Sequence, residues 1–208
     1  MGGAPVGRRR LTFRRLSGLD RSGPPPPQTL PGAPWRVWTV PNAIGFVRLA
    51  LIPLFLIVAI ASDTGTDPIV PILFAVVAWS DYADGIAARV TGQYSRFGAL
   101  LDPIVDRLLI ISGVIVCWYH DLLPRWALAV LVARELFMLV AGRIALKRGV
   151  VLRINWWGRL AVWPVMSAIF FGLCGVTDLA AILLYIGVAM TLMATALYVR
   201  DARPSTSA

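Results

Sequence analysis

From Ala43 to Val199 the chain runs as long apolar stretches, interrupted at fairly even intervals by short polar ones. The apolar stretches divide into six spans near 43–62, 68–89, 98–118, 123–146, 156–175 and 179–199. Each is close to the roughly 20 residues a helix needs to cross a bilayer core. Between them, Ser62 to Pro68 and Gly175 to Asp178 contain no Lys or Arg, and Tyr119 to Arg125 contains one. Basic residues gather elsewhere: in the N-terminal segment, at Arg89 and Arg96, from Lys147 to Arg159, and at Arg200 and Arg203. The positive-inside rule then places both termini and the 90–97 connection on the cytoplasmic side. The expectation is an all-α integral membrane protein of the cytoplasmic membrane, multi-pass, with six transmembrane helices and a polar site facing the cytoplasm. No internal repeat suggests an inverted-repeat transporter.

Composition supports that class. Of 208 residues, 58% are hydrophobic and 15% charged, and the mean hydropathy is +0.72, which excludes a disordered or ordinary water-soluble chain. The net charge of +9 does not indicate a nucleic-acid partner, because the cations fall in short clusters between apolar spans and form no single patch. Residues 1–38 carry Arg8 to Arg10, Arg14, Arg15 and Arg21, then a proline run from Pro24, without an apolar signal-peptide core. They read as a disordered basic tail that acts as topology signal and linker, followed by a six-helix domain over 39–199 and a short tail over 200–208. Gly2 is followed by Val6 where a myristoylation signal requires Ser or Thr. Cys117 and Cys174 lie in apolar runs and read as small buried hydrophobes, and His120, the sole histidine, reads as a solvated loop residue.

The candidate chemistry lies in DYADGIAARVTGQYSRFGALLDPIVD, residues 81 to 106. Asp81, Asp84, Asp102 and Asp106 sit inside or at the edge of apolar runs, where an ionised carboxylate costs several kcal/mol. At roughly 5 Å and an effective dielectric of about 20, each like-charged pair repels by about 3 kcal/mol, so a helical layout calls for divalent cations. Positions 81, 84, 85 and 88 share one helix face and 98, 102 and 106 another. Two antiparallel helices joined by the polar turn at 90–97 bring all four carboxylates together, where oxygen ligands suit hard cations such as Mg²⁺ or Mn²⁺. Gly85, Ala88 and Gly98 let helices approach and leave room for a ligand.

Written as D-x2-D-G-x2-A-R-x8-G-x3-D-x3-D, from Asp81 to Asp106, the segment resembles the signature of the CDP-alcohol phosphatidyltransferase family at all its fixed positions. The resemblance implies a membrane enzyme of phospholipid biosynthesis that transfers a phosphatidyl group from CDP-diacylglycerol to an alcohol and releases CMP. By position, Asp81, Asp84 and Asp102 are implied metal ligands, and Asp106 is the implied general base and a further ligand. Gly85, Ala88 and Arg89 are implied contacts to the cytidine nucleotide and its phosphate. The chemistry of the residues agrees, since phosphoryl transfer needs cations on the diphosphate and a carboxylate to take the acceptor's proton. Upstream, Thr39 to Arg48 resembles the family's P-N-x-x-T-x-x-R opening through Pro41, Asn42 and Arg48, with Gly45 at the hydroxyl position. Asn42 is implied at the cytidine end, with helix capping as its structural alternative. A homodimer is also implied by the resemblance.

The acceptor is less strongly marked. Ala133-Arg134-Glu135 resembles the matching stretch of phosphatidylglycerophosphate synthases of this family, whereas their G-K-x-K-T is here Gly158-Arg159-Leu160-Ala161-Val162. Arg134 and Arg159 are the candidate acceptor cations, because a phosphate acceptor favours guanidinium forks. Glycerol 3-phosphate is the first expectation, phosphatidylglycerol the alternative, as in the family's cardiolipin synthases. A divalent-cation channel or carrier, using the same carboxylates as a translocation site, is the alternative from another class.

Overall fold

The computed structural model describes residues 35, 37–91, 95–147 and 160–201, without the side chains of Asp84, Ala88, Arg89, Arg96, Ala99, Gly142, Ala145, Leu146, Lys147, Tyr198 and Asp201. Nearly all of the expected N-terminal tail, the C-terminal tail beyond Asp201 and the 148–159 stretch lie outside the described residues.

All regular structure among the described residues is helical: α1 (Val40–Ala61), α2 (Ile69–Thr91), α3 (Arg96–Tyr119), α4 (Arg125–Lys147), α5 (Val162–Leu173) and α6 (Thr177–Asp201). Each helix falls on one of the six expected spans, with ends shifted by a few residues. By length and composition, three helical stretches suffice to cross a membrane: Val40–Ala61, Ile69–Ala87 and Thr177–Leu197. The others are set apart by charge or length. Helix α3 carries Arg96, Asp102, Asp106 and Arg107, α4 carries Arg125, Arg134, Glu135, Arg143 and Lys147, and α5 has 12 residues.

Local chemistry explains the helix starts. Thr39 caps α1, its Oγ1 accepting from the Asn42 N–H at 3.3 Å while its carbonyl accepts from Ala43 at 2.9 Å. Pro124 opens α4 with a carbonyl that accepts from Ala127 and Leu128, a place where its missing N–H is not needed. Pro53 and Pro103 lie inside α1 and α3, which apolar helices tolerate where neighbouring groups satisfy the freed carbonyl. Apolar side chains are also exposed along most helices, Ile57, Trp79 and Leu136 at 67%, 76% and 58% among them. Water would penalise such surfaces, whereas hydrocarbon does not.

Two compact units are present. The first combines residues up to 50 with 77–106, and the second combines 51–76 with 107–208. The first unit has a polar interior: Thr39, Asn42, Arg48 and Ser95 are buried beside Val77, Leu101 and Val105. The second is mostly apolar inside, with Ser112 and Thr191 as buried polar residues. Phe55 and Phe74 meet there at 5.6 Å between centroids, and α6 packs along α5 and touches α4.

Two readings change in the second unit. His120 is not a freely solvated side chain; its Nε2 lies 2.8 Å from the Ala59 carbonyl, and its ring packs edge-on against Tyr119. Gly65, at φ +71°, passes so close that a Cβ would lie 2.4 Å from the His120 ring. Cys117 is buried as expected, but Cys174 follows the last turn of α5 and is exposed.

The α5–α6 contact depends on a glycine. A Cβ on Gly187 would lie 2.6 Å from Val165 Cγ2 and 3.1 Å from the Val165 backbone nitrogen, and the backbone atom cannot rotate away. Gly187→Val is therefore expected to lower stability by about 1–3 kcal/mol, read as a lower thermal unfolding midpoint in detergent. An unchanged midpoint would contradict this packing.

Candidate active site

An arginine never loses its charge at ordinary pH, so burying one obliges the fold to bring counter-charges to it. Arg48 on α1 is 1% exposed. Its Nη1 donates to Asp81 Oδ1 at 3.0 Å, its Nη2 to Asp106 Oδ1 at 2.9 Å, and its Nε to the Val77 carbonyl at 3.3 Å. Ser80 Oγ donates to the same carbonyl at 2.8 Å. One guanidinium thus joins α1, α2 and α3 within the first unit.

The arrangement is asymmetric. The cation is sealed, whereas Asp81 and Asp106 are 47% and 48% exposed. Each gives one oxygen to Arg48, and among the described residues the second oxygen of each accepts no hydrogen bond. Asp102, on the same stretch of α3, lies within coulombic reach of Asp81, Arg48 and Asp106. Asp81 and Asp106 thus share one guanidinium, with Asp102 near enough for all three charges to act on it.

The helix N-termini beside this cluster are joined by Asn42, which is 3% exposed. Its Nδ2 donates to the Val37 carbonyl at 2.8 Å and to Ser95 Oγ at 3.0 Å. Ser95 in turn caps α3, accepting from the Gly98 N–H at 2.9 Å. Asn42 is therefore not the cap of its own helix, a role that belongs to Thr39; it ties the start of α1 to the cap of α3. Gly98 makes room for this, since a Cβ there would lie 2.5 Å from Asn42 Oδ1. Gly45 does the same on α1, where a Cβ would lie 2.8 Å from Leu101 Cδ2. Trp38, Phe46 and Phe97 form an aromatic ladder in this unit, with centroids 6.1 Å and 5.7 Å apart.

The expected site residues are thus partly assembled. Asp81, Asp102, Asp106 and Asn42 lie in the first unit, as does Gly85, partly exposed on α2. Asp84, Ala88 and Arg89 occupy the same half of α2, with side chains outside the description, and Arg159 lies outside the described residues altogether. Arg134 belongs to the second unit. There its Nε donates to Thr195 Oγ1 at 3.0 Å, its Nη1 pairs with Glu135, and Arg107 reaches the other oxygen of Glu135 at 2.7 Å.

Among the described residues no three His, Cys, Asp or Glu side chains converge as a ready metal cradle. The donor chemistry nevertheless fits a hard divalent cation, since the cluster offers carboxylate oxygens and neither thiol nor imidazole. Sequence reasoning assigned no role to Arg48, Ser95, Arg107 or Thr195. Arg48 carried a signal, being a charge at the ninth residue of an apolar helix. Ser95 carried another, as a capping-type residue just before an apolar run.

Helices with exposed apolar faces, two of them carrying aspartates, mark a membrane protein. Residues 38–193 match the sequence model of the CDP-alcohol phosphatidyltransferases. The chain belongs to the CDP-alcohol phosphatidyltransferase family. It is 37% identical over 137 residues to the cardiolipin synthase (CMP-forming) of Streptomyces coelicolor, a match covering 64% of each chain. It is 33% identical over 146 residues to the CDP-diacylglycerol–glycerol-3-phosphate 3-phosphatidyltransferase of Bacillus subtilis, covering 64% of this chain and 75% of that one.

Asn42 and Gly98 act on one contact, which gives a sharp expectation. Asn42→Ala leaves a buried cap under-satisfied and is expected to cost about 1–3 kcal/mol. Gly98→Ala pushes Asn42 away and should cost a similar amount. The double variant is expected to lose little more than the worse single one; additive losses in thermal unfolding would show that the two residues act separately.

Proposed function

We propose that this protein catalyses transfer of a phosphatidyl group from CDP-diacylglycerol to an alcohol, with release of CMP. The observation that carries this reading is the cluster of Asp81, Asp102 and Asp106, the last two on the α3 face predicted for the family signature. Asp81, Asp84, Asp102 and Asp106 are the residues that would hold Mg²⁺ or Mn²⁺. When bound, the divalent ion supplies charge neutralisation on the diphosphate and on the departing CMP.

The remaining chemistry belongs to the chain. Asp106 keeps one oxygen on Arg48 and offers the other to the acceptor hydroxyl, whose proton it takes. The acceptor oxygen then bonds to the phosphorus that carries diacylglycerol. The anhydride bond between the two phosphates breaks, and CMP leaves with its electron pair. Gly85 and Ala88 leave space for the nucleotide, Arg89 offers its guanidinium to the phosphates, and Asn42 supports the cytidine end through the two helix starts it joins.

For the acceptor we place phosphatidylglycerol first and glycerol 3-phosphate second, reversing the order expected from sequence. Two observations favour the change. Arg134, the cation expected to bind a phosphate acceptor, is already paired with Glu135 and held by Thr195. The more identical of the two relatives described above is a cardiolipin synthase, at 37% against 33%, and the Gly158-Arg159 stretch keeps one cation where glycerol-3-phosphate enzymes have two. Glycerol 3-phosphate stays as the second reading because of the Bacillus subtilis relative. Arg159 is the acceptor contact in either case.

The same reading includes six membrane spans, with both termini and the site on the cytoplasmic side, and a homodimeric assembly in the cell membrane. It also retains the basic Pro-rich tail as a topology signal ahead of the helical domain. The short basic connections support this orientation.

Purified protein given CDP-diacylglycerol and Mg²⁺ or Mn²⁺ is expected to release CMP when phosphatidylglycerol is added, and to stop when EDTA removes the metal. Asp106→Asn should lower kcat by about 10²–10⁴-fold. Product with glycerol 3-phosphate alone would overturn the acceptor assignment. Cation flux into liposomes, with no CMP release from any acceptor, would overturn the transferase reading.

A further inference from the structure

Arg48 is too deeply buried, at 1% exposure, for its guanidinium to contact a substrate phosphate. Its contacts to Asp81 and Asp106 are the route by which it can act on the site: it touches one oxygen of each, 3.0 Å and 2.9 Å away, and so ties both carboxylates to α1. Both carboxylates remain about half exposed, so their outer oxygens face the open side of the cluster. Asp102 shares the same electrostatic neighbourhood.

We infer that Arg48 is a positioning residue that works as a permanent internal cation, holding Asp81 and Asp106 assembled and setting how tightly the carboxylate cluster binds a divalent ion. This rests on the proposal that Asp81 and Asp106 are metal ligands. A fixed positive charge behind the ligands offsets part of their repulsion before any ion arrives. The same charge opposes the ion when it comes, because two cations then share one set of carboxylates. Arg48 therefore stabilises the ion-free site and moderates the affinity of the loaded one.

Removing the charge should move these two properties in opposite directions, which loss of packing alone would not do. Full-length protein in detergent is titrated with Mn²⁺, free ion being read by electron paramagnetic resonance, and thermal unfolding is followed in EDTA and in Mn²⁺. In Arg48→Met and Arg48→Gln the Mn²⁺ Kd should fall about tenfold or more. The unfolding midpoint should drop in EDTA and recover in Mn²⁺ far more than that of the wild type. Arg48→Lys keeps the charge but not the fork, and should bind Mn²⁺ within about threefold of wild type while losing stability.

Equal or weaker Mn²⁺ binding in the neutral variants overturns the inference and leaves the metal-site reading standing. Failure of both neutral variants to fold even in Mn²⁺ overturns it too, since Arg48 would then be structural only. No Mn²⁺ binding by the wild type overturns the metal-site reading itself, and this inference with it. Neutral variants that fold in Mn²⁺ and unfold in EDTA support it directly.

Discussion

A guanidinium that cannot lose its proton, closed off from solvent on α1, is the constraint on which the first unit depends. Breaking a buried ion pair by removing one partner typically costs about 3–5 kcal/mol, so the position of Arg48 dictates where Asp81 and Asp106 must be. The two carboxylates come from different helices, and their pairing sets α2 and α3 around the arginine. The carboxylates are then left partly exposed.

The rest of the unit follows from making room for that pair. Gly45 and Gly98 stand where a side chain would strike Leu101 or Asn42; Leu101 fills the first space, and the polar groups of Asn42 and Ser95 fill the second. Thr39 caps one helix, Ser95 the other, and Asn42 links the two starts. The second unit is built differently: its interior is mostly apolar, and Arg107 and Arg134 pair there on Glu135. Specific polar geometry and bulk apolar packing are thus separated within one chain.

This division also explains what was legible beforehand. Helix positions followed from the length of apolar runs, because a helix in hydrocarbon must satisfy its own backbone over that length. On α3, the nearness of Asp102 to Asp106 agrees with their spacing of four residues, while Asp84 and Ala88, expected beside Asp81, have side chains outside the description. What could not be seen were pairings between helices. Nothing in a periodicity links Arg48 to Asp106 or Asn42 to Ser95, and repulsion among the aspartates had been answered with metal ions alone. The fold supplies a second answer in Arg48. His120 was hidden for a related reason, since the Ala59 carbonyl, 61 residues away, comes near it only in three dimensions, whereas Cys174 is exposed because it sits just past the last turn of α5. The Gly158-Arg159 stretch bears most on the acceptor and lies outside the described residues.

The bridge at Arg48 also orders events in time. Its partners lie 33 and 58 residues further along the chain, so during synthesis the arginine is made well before either counter-charge. An unpaired guanidinium in an apolar helix is costly to place in a membrane. The charge of the first helix thus has its two carboxylate partners on later helices, so the ion-paired centre of the first unit can close only once the third helix has been made.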